Sequence, residues 1–468
     1  MAFWATAGLV LFHAFGYRYS FERGIFIFSG SITVKTLPET VDIAVDGDII
    51  PRKRLGILNN SIHITGLMPG EHTIRISAPG YLPWEKRVII ESGVSREFWN
   101  VILPHTDYPY ETISATNFTE QVFPHPTEPT RFALIKRQDD ETSLVFYNYQ
   151  TSDNRQVFSL PESFFDPNRK ENLEWSWFEN GRFVIFPLTV KGVPYHFVID
   201  ATNGSYFSLE ERFGLSGIEK ARWQTNRSHE LLFIAGNTLY RFGINPNGTL
   251  DSLADNVTTY TISDDTLNLL MDTGEVWQED GDRLITITPS LPLVPGTPIT
   301  LTVYDEDRLA LLEHAGEHRL FLVYPNSENR VPIIREVARF INGMQFSNDG
   351  KKLLFYGDNE ISVAFADDWE VQPRRKAGEV VQVARFSDAI KNVHWTENYE
   401  HIIFSHGNVV KFIELDGRDY RLIGDLQILP GHPLQIFYLF SENRLFFVVP
   451  GYDITSIVFP EPQGLFGQ

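Results

Sequence analysis

The chain has 468 residues, 43% of them hydrophobic and 21% charged, which is the composition of a globular protein of two or three domains. Its net charge of −20 disfavours binding to the phosphate backbone of nucleic acids. The sequence contains no cysteine, which excludes disulfides, Cys-ligated zinc, iron–sulfur clusters and thiol nucleophiles. Aromatic residues reach 13% and favour strands over helices.

The first predicted element is the uncharged stretch AFWATAGLVLFHAFG, residues 2–16. As a helix it would rise about 22 Å, short of a hydrocarbon core of roughly 30 Å, with Trp4 and Tyr17 near the two interfaces. We expect residues 1–17 to form a transmembrane helix or signal anchor, so that the chain is a single-pass protein of the cell membrane with its bulk extracytoplasmic. A cleaved signal peptide and a buried structural segment remain as alternatives.

Residues 26–104 read as short strands separated by turns at Asp46-Gly47, Pro69-Gly70 and Pro79-Gly80. Within the stretch HTIRIS, which starts at His72, alternate side chains point to opposite faces of the strand, which gives one buried face. About eighty residues of such strands predict a small β-sandwich.

The segment DIAVDGDII…ITGLMPGEHTIRISAPGYLPWEKRVII resembles a PEGA domain, a family named for a turn of the Pro-Gly-Glu-Ala type. Here the turn is Pro69-Gly70-Glu71-His72, with His in place of the family's Ala. The resemblance implies an extracytoplasmic module of bacteria or archaea, often beside a membrane segment and without catalytic residues.

Residues 110–461 contain a repeated pattern in which an apolar or aromatic residue enters a polar turn and an apolar strand follows, as in QFSNDGKKLLFYG from Gln345. The repeat anchors, 39 to 54 residues apart, are Phe123, Trp177, Trp223, Ile262, Tyr304, Phe346, Trp395 and Phe440. A period of 40–50 residues with three or four strands per unit predicts a β-propeller of seven or eight blades, with eight favoured. The last unit lacks a strand, which YETISATN (110–117) is expected to supply. Residues 462–468 are left as a tail.

The unit FSNDGKKLLF, residues 346–355, is similar to the TolB-type, WD40-like propeller repeat, except that Asn348 stands where Pro is usual. The resemblance is good in this unit and loose in the others, so it implies the fold and no particular partner. The Asp and Asn residues of the turns are expected to satisfy backbone donors, and the anchors to pack between blades.

A search for chemistry finds HAGEH, His314 to His318, which matches the H-x-x-E-H zinc pattern. Gly316 lies between two strand-like runs, so we expect a hairpin tip rather than the helix that the pattern requires. Adjacent carboxylates occur at 139–140, 264–265 and 367–368, but adjacent side chains on a strand point to opposite faces. We therefore assign no catalytic, cofactor-binding or metal-binding residue and expect no cofactor.

The sequence favours a non-catalytic cell-envelope protein in which a PEGA stalk presents a propeller scaffold to protein or polysaccharide. Its expected partners are the membrane, through the N-terminal helix, and an envelope protein or polysaccharide at the propeller mouth or loops. The alternative is a propeller-type hydrolase or lyase acting on cell-wall polysaccharide.

Overall fold

The computed structural model describes residues 6–8, 10–12, 16–20, 24–51, 61–138, 141–161, 176–177, 181–190, 193–224, 230–244, 248–263, 265–281, 283–326 and 331–460. Over these residues the chain is almost entirely β-structure. The tail 462–468 lies outside them.

The N-terminal segment folds back onto a short hairpin instead of continuing as a long helix. Residues 6–8 and 10–12 are helical, Gly16 adopts a left-handed φ of 87°, and the chain then forms β1 (Tyr17–Ser20) and β2 (Ile25–Phe28). Phe12 packs against the hairpin, with its ring 5.2 Å from that of Phe26. Within the described residues no helix is both long and apolar enough to cross a bilayer, so the predicted transmembrane helix over residues 1–17 is wrong.

The next seven strands form a β-sandwich of two sheets, with strand orders β6-β3-β9 and β5-β4-β7-β8. The strands are β3 (Gly30–Leu37), β4 (Asp42–Val45), β5 (Asp48–Ile49), β6 (Ser61–Leu67), β7 (Gly70–Ser77), β8 (Trp84–Ile90) and β9 (Ser95–Ile102). Ile74 and Ile76 are buried between the sheets whereas Arg75 faces solvent, which confirms the predicted alternation along β7. Strands β3 and β9 run parallel, and the others pair antiparallel.

The remaining described strands build eight four-stranded antiparallel sheets, the blades of a propeller. Blade 1 consists of β11 (Thr119–Pro124), β12 (Arg131–Gln138), β13 (Glu141–Asn148) and β14 (Asp153–Pro161), and blade 2 of β15 (Ser176–Trp177), β16 (Phe183–Val190), β17 (Val193–Asp200) and β18 (Tyr206–Ser208). Blade 3 consists of β19 (Ile218–Gln224), β20 (Glu230–Ala235), β21 (Thr238–Gly243) and β22 (Leu250–Ala254), and blade 4 of β23 (Val257–Ser263), β24 (Thr266–Met271), β25 (Val276–Asp280) and β26 (Arg283–Thr286). Blade 5 consists of β27 (Ile299–Val303), β28 (Leu309–Glu313), β29 (Leu320–Pro325) and β30 (Pro332–Ala338). Blade 6 consists of β31 (Gly343–Phe346), β32 (Lys352–Tyr356), β33 (Glu360–Phe365) and β34 (Val380–Arg385). Blade 7 consists of β35 (Ile390–Trp395), β36 (His401–His406), β37 (Val409–Glu414) and β38 (Ile423–Ile428).

Blade 8 closes the ring by combining the two ends of the propeller segment. Its inner strands are β39 (Gln435–Leu439), β40 (Arg444–Val448) and β41 (Ile454–Val458), and its outer strand is β10 (Glu111–Ile113), which pairs with β41. This pairing confirms the strand expected from YETISATN and the count of eight. Besides the helical residues 6–8 and 10–12, the described part of the chain contains the short helix α1 (Leu209–Phe213) and a 3₁₀ turn (Phe440–Glu442).

The eight repeat anchors lie within one residue of the end of the first strand of their blades, where they pack against neighbouring blades. Trp395 of blade 7 is fully buried and donates its indole N–H to the Gln345 carbonyl of blade 6 at 3.1 Å. Tyr304 of blade 5 approaches Phe346 of blade 6 with ring centroids 6.1 Å apart. The predicted inter-blade packing is confirmed at these anchors.

The blade geometry defines two ends of the propeller. In an antiparallel sheet the first and third connections lie at one end, and the second connection and the crossover to the next blade lie at the other. The sandwich packs on the first of these ends, at blades 6 to 8, through Ile102, Leu103 and Tyr108 among others. We call this the covered end, and we call the opposite one the distal end.

Candidate functional site

The sandwich is held to the covered end by a buried ion pair. Lys86 Nζ of β8 lies 2.7 Å from Glu414 Oε1 at the end of β37, and both side chains are almost inaccessible. Lys86 also donates to the carbonyls of Asp416 and Tyr420 at 2.8 Å, and the Trp84 indole N–H donates to Glu414 Oε2 at 3.0 Å. Because each charge is paired and hydrogen-bonded, the two domains are locked in one arrangement.

Side chains from the propeller also cover the outer edge of β9. Gln372 donates to the Ser95 carbonyl at 3.0 Å and accepts from the Glu97 N–H at 3.3 Å. Arg418 donates to the Glu97 carbonyl at 2.7 Å, and its guanidinium lies 3.9 Å from the centre of the Phe98 ring. This contact satisfies backbone groups that an edge strand would otherwise leave open.

Burial dominates the electrostatics beneath the sandwich. Burial, with Lys352 and Lys86 nearby, lowers the pKa of His401 to about 3. Burial raises the pKa of Glu400 and of Glu414, while Lys352 and Lys86, their respective partners, oppose that rise. The Lys352–Glu400 distance is 2.6 Å. The His401 imidazole is therefore neutral beside the two buried ion pairs, so that it adds no third positive charge beneath the sandwich.

A cleft of about 470 Å³ opens beside this interface, between the sandwich and blades 7 and 8. Its walls include Trp99 and Asn100 of β9 and, from the propeller, Glu397, Asn398 and Asn443. The volume falls within the range of small-molecule sites, roughly 300–1,000 Å³. This cleft is the candidate binding site at the covered end.

The distal end carries exposed aromatic residues on strained backbone. Phe118 precedes β11 with a φ of 63°, and Phe340 precedes β31 with a φ of 60°. Their exposed fractions are 39% and 66%. Leu434 and Tyr452, on connections at the same end, are each about half exposed. Bulky residues rarely occupy the left-handed region, so these positions call for a reason beyond folding.

Charge is divided unevenly along the chain. Residues 1–104 contain 10 Lys and Arg against 9 Asp and Glu, whereas residues 105–468 contain 30 against 51. The propeller segment therefore carries all of the net negative charge, and its field favours a basic partner.

The HAGEH segment forms a hairpin tip between β28 and β29, as predicted, with a left-handed Gly316. The rings of His314 and His318 lie 5.7 Å apart. His314 Nε2 is 2.8 Å from the Thr300 hydroxyl, and burial together with His318 lowers the pKa of His314. Across the described residues, no group of three or more His, Cys, Asp or Glu side chains is arranged to hold a metal ion.

The adjacent carboxylates are not brought together into one cleft by the described structure. Asp368 accepts from Lys376 Nζ at 2.8 Å and from the Ala377 N–H at 2.9 Å, which fixes a connection of blade 6. The pair at 139–140 and residue 264 lie outside the described residues. Turn carboxylates instead satisfy backbone donors, as predicted; Asp305, for example, accepts from the Arg308 N–H at 2.8 Å.

Lys86 and Glu414 were not predicted as site residues, although the sequence carries a signal for Lys86. In WEKRVII, the positions of one face are Trp84, Lys86, Val88 and Ile90, so the lysine stands on an otherwise apolar face. A lysine at such a position indicates a buried partner, because burying an unpaired ammonium is costly. Its partner could not be named, since Glu414 lies far away in the sequence.

These features define an eight-bladed β-propeller that carries a β-sandwich on one end. No protein-family model and no curated protein matches the chain. By fold, 1112 solved chains are similar to it. The Dos1 propeller has a TM-score of 0.50 at 12% identity, covering 77% of this chain and 96% of that one.

Two further solved structures are similar at lower scores. The C-terminal WD40 domain of Sif2 has a TM-score of 0.48 at 10% identity, covering 76% of this chain and 99% of that one. The Cps50 (Swd1) propeller of Myceliophteria thermophila has a TM-score of 0.42 at 13% identity, covering 75% and 99%. The comparison with the Dos1 propeller shows the β-propeller fold.

Proposed function

We propose that the chain is a non-catalytic scaffold whose propeller binds a basic protein surface at the distal end. The observation that carries this proposal is the pair of exposed phenylalanines, Phe118 and Phe340, on left-handed backbone at that end. Such strain costs on the order of 1–3 kcal/mol per residue and persists where function requires it. Propellers of the WD40 type generally mediate protein interactions, which supports a protein as the ligand.

The position of Phe340 is set by two neighbouring blades. Its N–H donates to the Glu317 carbonyl of the blade 5 hairpin at 2.5 Å, and blade 6 begins three residues later. The exposed ring is therefore held on a rigid support, as interface anchors commonly are. The acidic charge of the propeller segment adds long-range attraction for a basic partner.

The sandwich supports a scaffold role because it covers blades 6 to 8 at one end and leaves the distal end as the display surface. Its resemblance to a PEGA domain, its extracytoplasmic location and the lack of enzyme activity stay predictions. A polysaccharide partner at the propeller face stays a prediction as well.

The test places a photo-crosslinking phenylalanine analogue at position 340 or 118 in the full chain. The matched control position is Tyr206, which is 57% exposed on the outer strand of blade 2. We expect one basic protein to be captured from 340 and 118 but not from 206. The purified partner should bind Phe340→Ser at least tenfold more weakly and lose affinity as salt rises.

Two outcomes would contradict the proposal. The first is equal capture of the same proteins from position 206. The second is a purified partner that binds Phe340→Ser and the original chain with the same affinity.

A further inference from the structure

The cleft at the covered end exists only because the two domains are locked together. One wall comes from the ends of β3 and β9, including Lys35, Trp99 and Asn100. The other comes from the turn after β35, which holds Glu397 and Asn398, and from blade 8. The Lys86–Glu414 lock fixes the distance between these walls, so the cleft is preformed.

The cleft is lined by polar side chains whose hydrogen-bonding groups the protein uses only in part. In the described part of the chain, the side chains of Lys35, Asn100 and Glu397 form no hydrogen bond or ion pair. Asn398 and Asn443 make internal side-chain hydrogen bonds only through their carbonyl oxygens. Asn398 Oδ1 accepts from the Thr396 hydroxyl at 2.8 Å and the Glu400 N–H at 3.0 Å and lies 3.2 Å from His401 Nδ1, and Asn443 Oδ1 accepts from the Tyr438 hydroxyl at 3.3 Å. Their amide NH₂ groups are left to a ligand.

An aromatic ring completes the lining. The indole N–H of Trp99 donates to Glu97 Oε2 at 3.0 Å, which fixes the ring while leaving it partly exposed. Leu37, Ile102 and Pro460 add apolar surface nearby. A rigid aromatic plane with a few amides around it is the common composition of a small-molecule site.

The chemistry of this lining selects a class of ligand. One cation and one anion face the cleft, and the propeller segment is strongly acidic, so a phosphate or another polyanion is disfavoured. Amide groups both donate and accept, as sugar hydroxyls do, and the indole plane suits the apolar face of a pyranose ring. We propose that the interdomain cleft binds a short neutral oligosaccharide, with Trp99 as the stacking platform and Asn100, Asn398 and Asn443 as its hydrogen-bonding partners.

The test is calorimetric titration of the full chain with cellotriose, maltotriose and N-acetylchitotriose, together with a neutral tetrapeptide. We expect saturable binding of at least one trisaccharide at a Kd of about 1 mM or lower, and no binding of the peptide. Trp99→Ala should weaken that binding at least tenfold, while Asn100→Ala should weaken it several-fold without changing Tm, because the Asn100 side chain forms no hydrogen bond or ion pair with the described residues.

Trp277 provides a matched control, because its indole N–H donates to Glu275 at 3.2 Å, the same two-residue spacing, on blade 4 away from the cleft. Trp277→Ala should leave the trisaccharide Kd unchanged. The proposal is overturned if none of the three sugars binds at about 10 mM, a concentration that would fill a millimolar site. It is equally overturned if the peptide binds as well as the sugars, or if Trp99→Ala and Trp277→Ala have the same effect.

Discussion

His401 gives the sharpest test of the electrostatics under the sandwich. The imidazole is 1% exposed, and its ring stacks on Phe412 with centroids 5.0 Å apart. Its pKa falls to about 3 in the fold because of burial and the nearby Lys352 and Lys86, against an ordinary pKa of about 6.5 in the unfolded chain. The unfolded state therefore binds this proton first, and stability is lost as the pH falls from 6.5 towards 3.

The magnitude follows from the two pKa values. At pH 5 the unfolded His401 is almost fully protonated while the folded one is neutral, which lowers the free energy of unfolding by about 2 kcal/mol relative to pH 8. His401→Gln removes this contribution. We expect the difference in unfolding free energy between pH 8 and pH 5, from urea denaturation followed by Trp fluorescence, to be about 2 kcal/mol smaller in the variant.

The same variant assigns the His401 signal in a spectrum of ¹³C-labelled histidine, since that signal disappears. The assigned signal should not shift between pH 8 and pH 5. A midpoint near 6.5, or an unchanged pH dependence of stability in His401→Gln, would refute the reasoning, because either result means that the imidazole is not held neutral by burial.

Three further changes test the packing. Gly350→Ala should lower the free energy of unfolding by about 2–3 kcal/mol, measured by thermal denaturation, because Gly350 has a φ of 64° and a Cβ there would overlap the Tyr304 ring. Lys86→Met should lower it by about 3–5 kcal/mol in urea denaturation, because it leaves the Glu414 carboxylate buried and unpaired. Asp453→Ala should cost about 1–3 kcal/mol and speed hydrogen exchange in β10, because Asp453 Oδ1 accepts from two backbone N–H groups after that strand at 2.8 Å.

Each of these changes has a control. Gly236→Ala, at a φ of 59° with no atom near the added Cβ, should cost only about 1 kcal/mol, so an equal loss would exclude overlap as the cause. Adding Glu414→Gln to Lys86→Met should recover at least half of the loss; no recovery would mean that charge pairing is not the reason. Asp388→Ala, at a side chain 79% exposed, should leave stability unchanged.

The propeller was accessible from the sequence because every blade repeats one local requirement. A first strand ends in an apolar anchor, a polar turn follows, and the next strand is buried on both faces. Phe346 and Trp395 show this pattern, and both lie at the last position of their first strands. The sandwich was predictable for a similar reason, since alternation along β7 records which face is buried.

The N-terminal helix shows where local hydrophobicity misleads. An uncharged stretch does not by itself fix the length of the helix that it forms, and Phe12 remains 47% exposed in the structure. Phe12 packs on Tyr17 and Phe26 of the hairpin, 5.4 and 5.2 Å away. Gly16 is left-handed at the start of this hairpin, and among the described residues no helix is long and apolar enough to cross a membrane.

The sequence by itself determined the β-class and the eight-fold repeat, because each depends on patterns within about fifty residues. The strand that closes the ring followed from the count of strands, since the last unit was one strand short. Only the tertiary structure decided the domain lock and the cleft. Trp84 and Glu414 are 330 residues apart, and the cleft joins segments near residues 35, 99, 397 and 443. Such pairings arise from the packing of completed domains, which local hydrophobic patterns do not record.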